Sequence, residues 1–358
     1  MLGLLRKTRS PIGLDIGSRY IKAAQLVDDD DAPATRPRLA ASLVLERDAP
    51  GEPMSLNEAR RLREVLERRG FTGRRVVVAV PSDALLTSVL QLPPRHSDAP
   101  LAEIALAEMA RTHRCEPDSF EVAFWDLPES SRPAEGVPVM AAACRHEHAD
   151  ALLDALEPPG FEVLALDLEG WALWRAIAPG VEGDDPLLAM IDIGWQGVNF
   201  VLLYRRAVVY ERMLGGTGLH ALGEAIHREH PMEQDVIDYL LEHVGFGHPD
   251  DAATADDQPL AGTIRGPMEA HFDTLAQELR LSVSYAMHQY PEATLDRLVL
   301  TGGGAMIRGL PEHLSAAIDL PVAALAIEQT CLAANDERLS TALGVAVGLA
   351  RYPLKEAS

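Results

Sequence analysis

Asp-Ile-Gly occurs twice in this chain, at Asp15–Gly17 and Asp192–Gly194, 177 residues apart. The flanks repeat as well. Residues Ile12–Lys22 align with Ala189–Asn199, each an apolar strand, an Asp, a Gly at a tight turn and a second apolar strand. A supersecondary unit repeated at half-chain spacing predicts two related subdomains facing each other. Two such hairpins aim backbone N–H groups and two carboxylates, Asp15 and Asp192, at one cleft. That arrangement suits a polyphosphate with its Mg²⁺, which the carboxylates would hold through water. Either Asp alone reads equally as a turn-capping residue. The repetition is what points to a ligand site.

A third glycine site lies near the C-terminus. Arg297–Thr301 reads as a buried strand running into Gly302-Gly303-Gly304, with a helix beyond. Glycines there permit positive φ and let the backbone approach a ligand, at the strand end where ligands collect in α/β folds. Alone the triplet is also a simple strand–helix turn. In order after two Asp-Ile-Gly hairpins it is more specific.

Length and composition bound the class. A chain of 358 residues holds two or more subdomains with cores. It contains no run of 18 apolar residues, so no segment reads as membrane-spanning. Met1–Lys7 places its charges after a very short apolar run, the wrong order for a signal peptide. Three scattered cysteines, Cys115, Cys144 and Cys331, argue against a disulfide framework or zinc site. The expected location is the cytoplasm. A formal charge of −22 counts against a nucleic-acid partner, although Asp28–Asp31 and Asp250–Asp257 read as solvated acidic loops. Arg60–Arg75 carries Leu62, Val65 and Leu66 at helical spacing and reads as a helix with a solvated basic face. His146, His148, His227 and His230 lack a further ligand at metal spacing and read as exposed.

Periodicity and turn residues predict a mixed order of elements. After the first hairpin come a strand at Leu39–Leu45, a helix at Asn57–Arg69 and a strand at Arg75–Val80. A short strand at Val89–Leu92, a helix at Leu101–Arg111 and a strand pair at Glu121–Leu127 and Val137–Ala143 follow. Then come a helix at His148–Leu156, a strand at Glu162–Leu168, a helix at Trp171–Ile177 with Trp171 and Trp174 packed inward, and a hinge at Pro179–Pro186. The second half predicts strands at 187–193, 198–204 and 207–213, then Gly215-Gly216 and a helix from Leu219. A mobile loop is expected at 251–262, a long helix at Met268–Gln289, a strand at Leu298–Thr301, a helix at Leu310–Ala317 and a buried small-residue helix at Leu339–Ala350.

This order of hairpin, second hairpin and strand-Thr-Gly-Gly-Gly resembles the actin-like ATPase superfamily. More narrowly, the chain is similar over residues 1–353 to the PilM family of type IV pilus assembly. The similarity is carried by Met1–Leu4 with Ile12–Ser18, Ala141–Glu147, Val163–Glu169, Leu298–Leu310 and Ala342–Ala350. The resemblance implies an α/β, actin-like (ribonuclease H-like, duplicated) two-lobed fold with ATP and Mg²⁺ in the cleft. It implies a first lobe from 1–82 and 141–180, a small inserted α/β subdomain at 83–140 of the kind shared with the division protein FtsA, and a second lobe at 181–353 with a helical insertion at about 215–290. It also implies a partner: the cytoplasmic N-terminal segment of a PilN-like bitopic inner-membrane protein, and through it PilO-like and motor proteins. The chain would then be peripheral to the inner membrane through that partner; self-association is left open. The expected peptide groove lies between the first lobe and the insert, where Val89, Leu90 and Leu92 precede Pro93-Pro94.

The nucleotide-binding set implied is Asp15, Gly17, Ser18, Arg19, Lys22, Asp192, Gly194, Gln196, Asn199, Gly215, Gly216, Gly302, Gly303 and Gly304. Arg19 reads either as a phosphate partner or as solvated, and Lys22 as structural or phosphate-facing. The chain departs from the family where hydroxyl residues usually follow the second Asp-Ile-Gly. Gln196, Gly197, Val198 and Asn199 stand there, beside the bulky Trp195, and Val198 cannot donate to a phosphate. Arg19 and Tyr20 likewise replace small residues in the first turn. The expectation is Mg-ATP binding with slow or no turnover. Other readings are a type II secretion platform protein, an FtsA-like filament protein, and a superfamily kinase. The polar end Tyr352–Ser358 offers no membrane-targeting helix for the second, and the third finds no well-placed base, Asp167 being the best isolated acid.

Overall fold

The computed structural model describes residues 9–27, 37–128, 136–181, 187–247, 257–327, 331–332 and 340–353. The Met1–Leu4 opening, the acidic residues of 28–31 and 250–256, most of the expected hinge, residues 333–339 and the tail after Pro353 lie outside them.

In chain order the first half contains β1 (Ile12–Ile16), β2 (Tyr20–Val27), β3 (Arg38–Glu46), α1 (Leu56–Arg68), β4 (Arg75–Ala79), β5 (Leu85–Leu92), α2 (Leu101–His113), β6 (Phe120–Asp126), β7 (Val137–Arg145), α3 (His146–Leu156), β8 (Glu162–Asp167) and α4 (Glu169–Ile177). The second half contains β9 (Leu187–Ile193), β10 (Gly197–Tyr204), β11 (Ala207–Gly215), α5 (Leu219–Glu229), α6 (Gln234–His243), α7 (Asp257–Gln289), β12 (Leu295–Thr301), α8 (Leu310–Ile318), β13 (Val322–Ala324) and α9 (Gly344–Ala350).

Two five-stranded sheets share one topology, β3-β2-β1-β4-β8 and β11-β10-β9-β12-β13. Each opens as an antiparallel meander, and the next strand joins parallel to the first, as β4 does to β1 and β12 to β9. This is the duplicated actin-like plan. Strands β9 and β10 are buried along their whole length, which is why they read as apolar runs interrupted only at Asp192 and Asn199 rather than as alternating ones. On the outer face of the first sheet, Leu62 and Leu66 of α1 and Leu156 of α3 pack over Leu14, Val76 and Val78. On the outer face of the second, α5–α8 cover Ile191, Phe200 and Leu300.

The inner faces meet across α4 and α9. Helix α9, which ends the second half, lies on β1 of the first sheet. Contact is that close because Gly13 has no side chain: a Cβ there would fall 2.0 Å from the Ala346 carbonyl oxygen. Gly348 packs against α4 in the same way, where a Cβ would fall 1.8 Å from the Ala172 oxygen. Arg175 of α4 donates to the Gly348 carbonyl at 2.9 Å and pairs with Asp167. Asp167, the isolated acid of the sequence, is therefore committed to this crossing.

The insert is a three-stranded sheet, β5-β7-β6, with α2 packed on it. Its last strand runs to Arg145, past the expected limit at 140. Leu90 and Leu92 are core residues beneath α2 and only Val89 of the expected apolar trio is exposed, at 50%. Trp125 donates to Val208 O at 2.7 Å, Thr87 to Glu211 O at 3.3 Å, and Trp125 meets Trp171 edge-on. These bonds satisfy carbonyls on the open edge of β11.

Three expectations need correction. Helix α7 begins at Asp257, so 257–262 is helix rather than loop. Pro267 and two glycines mislead there; burial of Ile264, Met268, Phe272, Leu275 and Leu279 outweighs them. Helix α6 falls in the expected helical insertion, but the predicted element order names no helix at its position. Strand β5 starts four residues before its expected start, because its polar Thr87 and Ser88 pair with Ala142 and Ala141 of β7.

Candidate functional site in the interlobe cleft

The two hairpin turns face a cavity of about 610 Å³ between the lobes. At its centre, Asp15 and Lys22 are directly opposed in the β1–β2 register, which puts both side chains on one face. Lys22 Nζ lies 2.9 Å from Asp15 Oδ2. Burial disfavours the ammonium, but Asp15 and Asp192 outweigh it and hold the Lys22 pKa above its usual value. Asp192 comes from the equivalent position of β9. Burial lifts its carboxyl to about 6, with Lys22 opposing and Asp15 reinforcing the rise. Glu169, at the start of α4, also faces the cavity and accepts a hydrogen bond from Ser82. Burial first, then Asp192, pushes it well above the carboxylate range.

The repeat diverges at its second partner. Asn199 opposes Asp192 as Lys22 opposes Asp15, yet it turns away and donates to Glu211 at 3.0 Å. The second carboxylate thus has no cation of its own.

Each turn keeps part of its backbone N–H set unused. Gly17 N–H donates to Tyr20 O and Gly194 N–H to Gly197 O, closing each hairpin. The N–H groups of Ser18, Arg19, Trp195 and Gln196 find no acceptor among the described residues. Gly218 brings the start of α5 onto the second turn, where Leu219 and His220 N–H donate to Gly194 and Trp195 carbonyls. Apolar side chains, Leu219, Leu241, Met306, Ile307 and Ala342, also line the cavity.

Asp15, Gly17, Ser18, Arg19, Lys22, Asp192, Gly194, Gln196, Asn199, Gly215 and Gly303 line the cavity, whereas Gly216, Gly302 and Gly304 do not. Gly302 (φ 82°) and Gly304 serve packing: a Cβ would strike Asp192 Oδ1 at 2.7 Å and Ile193 Cγ2 at 2.2 Å, respectively. Arg19 is not solvated. It is buried in an ion pair with Asp238 of α6. Sequence reasoning missed Ser82, Glu169, Asp238, Leu241 and Glu242. Glu169 opens a helix at the end of the Val163–Glu169 segment and carried a faint signal; the others are brought in by tertiary packing alone.

Among the described residues no group of three His, Cys, Asp or Glu side chains could hold a metal unaided. No helix there is long and apolar enough to cross a membrane. The family described as type IV pilus assembly protein PilM matches residues 13–352. The chain belongs to the PilM family. Two solved structures share its fold. One is a PilM–PilN type IV pilus biogenesis complex, at 24% identity over 96% of this chain and 98% of that one, with a TM-score of 0.76. The other is the ethanolamine utilization protein EutJ from Carboxydothermus hydrogenoformans, at 14% identity over 98% and 91%, with a TM-score of 0.56. Membership of the PilM family makes this a type IV pilus assembly protein built on the actin-like plan.

Proposed function

We propose that this PilM-family chain is a nucleotide-binding adaptor of the pilus inner-membrane platform. Mg-ATP would occupy the interlobe cleft, and the N-terminal segment of a PilN-like bitopic protein would dock on the insert side of the first lobe. One observation carries the nucleotide reading: twin turns bring Asp15 and Asp192 together with Lys22 on one cavity. Its volume falls in the range of small-molecule sites. Asp15 and Asp192 would hold Mg²⁺ through water, because the described side chains do not complete a metal site. Ser18 and the free turn amides would cradle phosphate, and the apolar lining would take a flat base. The bound nucleotide would supply an anion that both lobes grip, favouring one closure angle. Turnover is expected to be slow, since the second turn lacks hydroxyls, Val198 is fully buried and Asn199 is turned away. Calorimetry should detect Mg-ATP at millimolar or better, and Asp15→Ala should weaken it about tenfold or more. No heat at millimolar nucleotide would reject the reading.

The partner reading rests on family membership and on the open edge of β5, where Val89 is exposed. An extended peptide adds to such an edge through main-chain bonds. The protein reaches the membrane through that partner. A titration with the PilN-like segment should give about micromolar affinity, near −8 kcal/mol. Val89→Asp should weaken it about tenfold. Unchanged binding would move the groove elsewhere, and no binding by the intact chain would reject the adaptor role.

A further inference from the structure

Two large side chains, Arg19 and Trp195, one from each hairpin turn, meet across the cleft. The Arg19 guanidinium lies 4.5 Å from the centre of the Trp195 ring. Its Nη1 is 2.6 Å from Asp238 Oδ2, and its Nε is 3.4 Å from Glu46 Oε1 on its own lobe. His220 backs the indole at 5.1 Å, and the Arg19 carbonyl is fixed by Arg47 N–H at 2.9 Å. A cation of the first lobe is therefore enclosed by a turn and a helix of the second. On the same rim, Gln196 reaches toward Gly51 of the first lobe.

The charge around the cavity gives this contact a further meaning. Asp15, Asp83, Glu169, Asp192, Asp238 and Glu242 line it, against Arg19 and Lys22. Lys22 is engaged by Asp15. A polyphosphate entering such a site needs cation beyond its own metal, and Arg19 is the side chain able to provide it. Its partner Asp238 is about one-third exposed and can be rehydrated when it is released. A guanidinium stacks by its face while its N–H edge stays free for a planar bidentate acceptor.

We propose that Arg19, Trp195 and Asp238 form a clasp that closes the lobes without nucleotide, and that Arg19 exchanges Asp238 for the outer phosphate when Mg-ATP enters. The Trp195 stack is kept through the exchange, so only the edge of the guanidinium changes partner. This proposal rests on the nucleotide reading above for its second half only.

Two measurements on the full chain separate the halves. Without nucleotide, Arg19→Ala should speed amide hydrogen exchange at 194–197 and in α6; exchange identical to wild type overturns the clasp while leaving nucleotide binding standing. By calorimetry, Asp238→Asn should bind Mg-ATP about tenfold tighter and Arg19→Ala about tenfold weaker than wild type. The gain from Asp238→Asn should vanish in the Arg19→Ala background. An equal gain in both backgrounds would mean that Asp238 merely repels the anion, and no gain in either would equally overturn the exchange. Absence of Mg-ATP binding by wild type and Asp238→Asn alike would overturn the exchange together with the nucleotide reading.

Discussion

Asn199 and Glu211 share one hydrogen bond, and each leaves one oxygen, Asn199 Oδ1 and Glu211 Oε2, buried without a partner among the described residues. A proton on Glu211 would give the pair a donor for those oxygens. Burial, opposed by the Asn199 bond and the nearby Gly170 N–H, does push the Glu211 carboxyl above its ordinary value. A raised acid pKa means that the folded chain keeps the proton longer than the unfolded one. Stability from this group is then fully present below the ordinary carboxylate pKa and is lost as pH rises through the folded value. Glu211→Gln offers an amide in place of that proton. The variant should melt about 3 °C above wild type near pH 8, and the two curves should converge near pH 4. A variant that melts lower at both pH values would contradict this account. The sequence alignment matched Asn199 with Lys22 but could not show it turning to a strand neighbour, because Glu211 reaches it only after β11 folds back on β10.

Helix α9 is short and rich in small residues for a geometric reason. Gly13 on β1 and Gly348 on α9 let three backbones converge where α4 and α9 cross between the sheets. Gly348→Ala puts a methyl group into the Ala172 carbonyl and should cost about 3 kcal/mol, read as a lower melting temperature. A melt within a degree of wild type would show that α4 can step aside. Helix α1 shows the limits of local rules. Ser55 caps it by accepting from Glu58 N–H at 3.2 Å, half of a capping box. The other half is diverted: Glu58 is buried and takes Arg47 and the Asp48 N–H instead, tying the helix to the end of β3. Local spacing found the helix. It could not find that diversion, nor the first turns of α7, where distant core contacts override glycine and proline.

For the molecule as a whole, net charge and lobe angle are the quantities to perturb. With a formal charge of −22, the chain should attract a basic peptide over long range. Raising salt from about 50 to 500 mM should slow association with the PilN-like segment about tenfold and change dissociation little, because screening acts on encounter. Stopped-flow mixing checks this, and a salt-independent association rate would remove the electrostatic part of the partner reading.

The repeated Asp-Ile-Gly units, the glycine triplet and the alternation of strand and helix determined by themselves the duplicated α/β plan and the placement of Asp15 and Asp192 on one cleft. They could do so because hairpin register and strand-end turns are local: Asp15 and Lys22 are seven residues apart and meet by pairing alone. Tertiary structure decided the rest. Asp238 and Glu169 lie far along the chain from Arg19 and Lys22, and no periodicity encodes which helix closes over a turn. Arg19 and Trp195 looked independent in sequence, and only the meeting of the lobes made them partners.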